Sequence, residues 1–178
     1  MRAVDHARHA LPEPCWLSKT EISDLAEDIA RDMGYAPGDD LLPVVKGLGG
    51  DILFSDPLSE SDSYGSGSIY MSQAGFEILL PLHTGPLRDR FTVAHELGHF
   101  ILHYLGTEYA KEGQAMVADR YGSGRVETEG NWFAASFLMP KTEFVDCWRM
   151  SDGDRDIVAS VFRVSEAAAR VRAQSLGL

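Results

Sequence analysis

Three ionisable side chains fall within five residues at His95-Glu96-Leu97-Gly98-His99. On a helix, four residues advance about 6 Å and return to nearly the same face, so both imidazoles can converge on one ion. Glu96 then lies on the adjoining side, where its carboxylate can reach a water on that ion. This is the spacing of a zinc site, in which the metal acidifies a water and the Glu takes its proton as the water attacks a carbonyl. The surrounding stretch, Leu87 to Leu105, is apolar on more than one side through Phe91, Val93, Ala94, Leu97, Phe100, Ile101 and Leu102. That pattern predicts a buried helix, and ionisable groups inside one require a cation or other partners.

A catalytic zinc needs a third protein ligand and an open position. The arrangement HExxHxxGxxH requires Gly at 102 and His at 105, where this chain has Leu102 and Leu105. His103 stands eight residues from His95, a rise of about 12 Å, too far to share one ion on a straight helix. It reads as an ordinary hydrogen-bonded histidine near the helix end. The remaining source is a carboxylate on a second helix. Glu127 to Met139 has helical character, ends at Pro140, and opens with Glu127 and Glu129. Spacing alone does not choose between these two, and either is also favoured in a first turn by the helix dipole.

The elements that must position these groups follow from the rest of the pattern. Ser18 and Glu21 form a capping box ahead of Ile22, Leu25, Ala26, Ile29, Ala30 and Met33, which recur at helical spacing up to Gly34. A Gly-rich turn (Gly47, Gly49, Gly50) leads to a strand at Asp51–Phe54. Two further strands, Ser68–Ser72 and Phe76–Leu82, flank the turn Gln73-Ala74-Gly75. Ser59 to Ser68 is a small-residue stretch, and Thr107 to Arg125 reads as a polar loop. Beyond Pro140 come short helices at Thr142–Met150, Asp154–Phe162 and Ser165–Ser175. The fold class is α+β. The expected division is an extension at 1–17, a metalloprotease core at 18–140 and a helical, helix-turn-helix-like segment at 141–178.

Composition narrows the function. The 178 residues carry 16 Lys plus Arg against 27 Asp plus Glu, a formal charge of −11. That balance argues against non-specific capture of nucleic-acid backbones. From Lys141 onward six basic residues meet six acidic ones, so direct DNA binding by the last helices is disfavoured, with Arg163, Arg170 and Arg172 the candidates for a local patch. No apolar run approaches bilayer length, and Met1 to Pro14 lacks the apolar core of a secretory signal. Cys15 and Cys147 have no metal-binding spacing and read as free thiols of a cytoplasmic protein.

The segment Arg90-Phe91-Thr92-Val93-Ala94-His95-Glu96-Leu97-Gly98-His99-Phe100-Ile101-Leu102-His103 resembles the active-site helix of the ImmA/IrrE metallo-endopeptidases. Glu129-Gly130-Asn131-Trp132-Phe133-Ala134-Ala135-Ser136-Phe137-Leu138-Met139-Pro140 resembles their second motif, with Gly130 in place of the usual Ala and Phe137 in place of Leu. The tail from Val161 to Leu178 is similar to the closing helices of that family. The resemblance extends from about Ser18 to the C-terminus and implies a zincin-like fold with a small antiparallel sheet.

It also implies a zinc endopeptidase with Glu96 as the base and His95, His99 and Glu129 as metal ligands, Glu127 being the fallback. The register of the aromatic stripe favours the same choice, because Glu129 precedes Phe133 by four residues and shares its face. Glu127, about 200° further round, is expected at the helix entrance in solvent. The substrate implied is a protein, a helix-turn-helix repressor whose cleavage relieves repression in stress response or mobile-element induction. The competing reading is a non-proteolytic regulatory or toxin–antitoxin partner that keeps the metal fold. The hairpin before the metal helix is also a candidate edge for a substrate strand.

Overall fold

The computed structural model describes residues 9–55, 68–119 and 124–178. Eight α-helices and four strands are present among them: α1 Lys19–Asp32, α2 Leu42–Gly47, β1 Gly50–Ser55, β2 Ser68–Ser72, β3 Gly75–Pro81, α3 Pro86–His99, α4 Glu108–Lys111, β4 Met116–Asp119, α5 Arg125–Leu138, α6 Lys141–Met150, α7 Arg155–Phe162 and α8 Glu166–Leu176. The small-residue stretch lies outside the described residues except for its last member, Ser68, which opens β2.

α1 starts where the capping box places it, with the Ser18 side chain accepting from the Glu21 N–H and Glu21 accepting from the Ser18 N–H. Its buried stripe is Ile22, Ala26 and Ala30, and it lies against α5. The sheet has the order β1-β3-β2-β4, with β1 parallel to β3 and β2 antiparallel to both neighbours. The expected hairpin is the β2–β3 pair. Burial along β2 and β3 alternates enough to put Ile69, Met71, Phe76, Ile78 and Leu80 in the core, where the Phe76 ring meets Phe100 at 4.3 Å between centroids.

Thr107 to Arg125 is not the loop its polarity suggests. It holds the one-turn helix α4 and the edge strand β4. Its apolar run, Ala115 to Ala118, is too short to show a period, and pairing with β2 supplies what the local pattern lacks. Ala10, from the N-terminal segment, bridges to Met116 on the outer edge of β4.

α3 begins with Pro86 in the first turn, where a missing N–H costs nothing. Nine of its residues are buried. Arg90 crosses to the loop after α1 and donates to Tyr35 Oη and the Asp39 carbonyl. The expected single helix through Leu105 changes character at Phe100, and Phe100–Tyr104 form a π-helical turn closed by Leu105 N–H to Phe100 O at 2.9 Å. Such turns rotate less per residue than an α-helix and often occur at functional sites.

The last two helices carry side-chain caps: Asp154 caps α7 and Ser165 caps α8. Arg163, in the left-handed region at φ 49°, makes the tight turn between them. Arg172 of α8 is buried and donates to the Met139 carbonyl, Ser136 Oγ and Glu27. Arg163 donates to the Gly38 carbonyl. Two of the three arginines considered as a patch for DNA therefore make contacts within the chain. No described helix is long and apolar enough to cross a membrane.

Candidate metal centre

α3 and α5 cross closely because glycines face the contact. A Cβ on Gly98 would stand 3.1 Å from Phe133 Cβ, and one on Gly130 would stand 2.9 Å from the His95 ring. That close approach carries a carboxylate to the histidine pair, and the carboxylate is Glu127. His95 Nε2 and His99 Nε2 are 3.0 Å apart. Glu127 Oε2 lies 3.2 Å from His95 Nε2, and Oε1 lies 3.4 Å from His99 Nε2. A tetrahedral ion with bonds of about 2.0–2.1 Å has ligand–ligand edges of about 3.3 Å. The three groups fit around one such cation. Both imidazoles are 1 % exposed, and so is Glu96 within the same helix.

The protonation states suit a cation as well. Burial pushes His99 down to about 4, outweighing the adjacent Glu127 carboxylate. Burial alone would raise Glu127, but the His95 and His99 rings beside its oxygens outweigh it and hold the carboxyl at about 2. A neutral imidazole and an ionised carboxylate are the forms that bind metal.

Glu129, the expected third ligand, is elsewhere. It is fully buried and faces His103, whose Nε2 is 2.9 Å from Glu129 Oε2. It also accepts from Arg125 Nε at 2.7 Å and from the backbone N–H groups of Cys15 and Trp16 at 2.9 and 3.1 Å. Burial acts to raise its carboxyl, but these donors outweigh it and hold the group at about 2. The placement has a simple cause. The buried arc of α5 is wide, with Gly130 and Phe137 near its middle and the two glutamates at its flanks. The 200° from Glu129 to Glu127 is 160° the other way round, still within that arc. Glu127 is consequently not in solvent. The small-residue face Glu127, Gly130, Ala134 was the signal that marks it, because helices approach most closely where side chains are small.

His103 is hydrogen-bonded, as expected from its position. Its Nδ1 lies 2.9 Å from His99 Nδ1, and burial holds the ring below its ordinary value. Cys15, His103 and Glu129 also lie within 4.8 Å of one another through their ligand atoms. With four donors already on Glu129, one of them a guanidinium, this second group is a hydrogen-bond network rather than a cation site.

An HExxH helix on a small sheet, met by a carboxylate from the following long helix, defines a zincin-like fold. The chain belongs to the ImmA/IrrE metallopeptidase family: residues 54–174 match the family model Peptidase M78, the IrrE N-terminal-like domain. Among solved structures it is similar to a Mycobacterium tuberculosis transcriptional regulator, with 15 % identity and a TM-score of 0.57 over 84 % of this chain and 45 % of that one. At that identity the likeness concerns the fold, and the chain spans less than half the length of that neighbour. No curated protein matches the chain significantly.

Proposed function

We propose that the chain is a zinc-dependent endopeptidase acting on a protein substrate, with His95, His99 and Glu127 as metal ligands and Glu96 as general base. The observation that carries this reading is the 3.0–3.4 Å triangle of two imidazole nitrogens and a carboxylate on the HExxH helix and its neighbour. A bound zinc would supply Lewis acidity, acidifying water and polarising a peptide carbonyl. The protein's own contributions are orientation and proton transfer. Glu96, one residue from His95 and outside the ligand triangle, takes the proton of the attacking water and returns it to the leaving amine. The buried walls keep the polar groups of the site in a fixed arrangement.

The substrate class rests on the family resemblance. It favours a helix-turn-helix repressor, cut in the cytoplasm to relieve repression during stress or mobile-element induction. Elemental analysis of the full chain, with cleavage of such a repressor by wild type and Glu96→Gln, tests the reading. About one zinc per chain in both proteins, and cleavage by wild type alone, is the expected result. A zinc-free wild type, or equal cleavage by Glu96→Gln, would overturn it. Stable repressor binding without cleavage would favour the non-proteolytic partner instead.

A further inference from the structure

We propose that His103 and Glu129 are positioning residues that set the tautomer and ring orientation of His99, anchored by the N-terminal residues Cys15 and Trp16. The inference rests on the metal-centre reading above and adds a role for residues that lie outside the ligand triangle, two of them outside the family match.

The argument runs outward to inward through protons. Glu129 is an ionised carboxylate paired with Arg125 and can only accept. The proton in its 2.9 Å contact with His103 therefore sits on His103 Nε2. A neutral imidazole carries one N–H, so His103 Nδ1 presents a lone pair. The proton in the 2.9 Å contact between the two Nδ1 atoms then belongs to His99. His99 is left with its Nε2 lone pair facing His95 Nε2 and Glu127, the direction from which a metal is bound. Outer partners of this kind fix the tautomer of a ligating histidine and raise its basicity. His103 follows His99 by four residues, so the continuous helical segment keeps it on the His99 side.

The anchor is itself built from distant chain. The Cys15 and Trp16 N–H groups lie 114 and 113 residues from Glu129 in sequence. Arg125, which holds Glu129 Oε1, also donates to the Leu17 carbonyl and lies over the Trp16 and Trp132 rings. The N-terminal segment thus closes the shell around a group two hydrogen bonds from the metal side of His99.

Two measurements on the full chain test this. Imidazole ¹⁵N–¹H correlation spectra of metal-free wild type should show His99 protonated at Nδ1 and His103 at Nε2. The opposite tautomers would overturn the proposal without reference to any metal. Zinc affinity by competition titration, with the visible spectrum of the cobalt-substituted protein, is then compared for wild type, His103→Phe and His103→Gln. Gln offers one acceptor and one donor and should stay within about threefold of wild type. Phe should bind about 10–100-fold more weakly with an altered cobalt spectrum. Wild-type affinity and spectrum in His103→Phe, or equal losses in both variants, would overturn the positioning role. A wild type that binds neither ion would instead remove the metal-centre reading on which the role rests.

Discussion

Glu127 and Glu129 stand two residues apart on α5, both turned inward, and each addresses a different histidine of the same continuous helical segment. Glu127 lies 3.2 Å from His95 Nε2, while Glu129 lies 2.9 Å from His103 Nε2. One carboxylate faces the His95–His99 pair and the other the buried His103 ring. The close crossing of α5 over α3 lets both face inward at once.

The two glutamates should therefore fail in different ways. Glu127→Ala is expected to lower zinc affinity by more than the roughly 10–100-fold typical of an outer partner. Its metal-free fold should be retained. Glu129→Ala leaves Arg125 and two backbone N–H groups facing an empty site, and should destabilise the metal-free protein by about 3–5 kcal/mol. Calorimetric zinc titration beside urea unfolding separates the two effects.

Acid should weaken the metal-free protein in two stages. His99 takes a proton near 6.5 when unfolded but only near 4 when folded. Between those values the unfolded chain binds more protons, so stability falls as pH falls. The loss is about 3 kcal/mol by the time pH 4 is passed. Glu127 and Glu129, held at about 2 against 4.5, contribute stability above pH 4.5 that is lost as pH drops toward 2. Urea midpoints measured from pH 7 to pH 3 should show the first loss shrink in His99→Gln.

Arg172 joins three elements by donating to Met139 O, Ser136 Oγ and Glu27. Arg172→Met should cost about 2–4 kcal/mol, because a buried carbonyl loses its donor and Glu27 its partner. Zinc affinity should be unchanged, since none of these groups touches the histidines. A melting curve with a zinc titration on the same variant checks both halves.

Gly98 sets the approach of α3 to α5. Gly98→Val would push against the Phe133 Cβ, which the backbone holds and the stacked Phe137 ring confines. The expected cost is about 1–3 kcal/mol in chemical unfolding. Zinc affinity should fall with it, because Glu127 is carried on the displaced helix.

What was legible in the residues alone was the local part of this protein. Capping boxes, glycine stops and periodic apolar stripes act over a few residues, so α1, the hairpin strands, α5 and the last three helices could be placed from their own spacing. The HExxH motif is local too: one helical turn places His95 and His99 on the same face.

Tertiary structure decided the rest. β4 exists because β2 offers it a partner, and its own four residues carry no period that would reveal it. Which glutamate faces the His95–His99 pair depended on how α5 crosses α3, and the same crossing brings His103 opposite Glu129. The contacts of Cys15 and Trp16 with Glu129 join segments more than a hundred residues apart. Helical periodicity tells which residues share a face. It does not tell what that face will meet, because that is set by the packing of the whole chain.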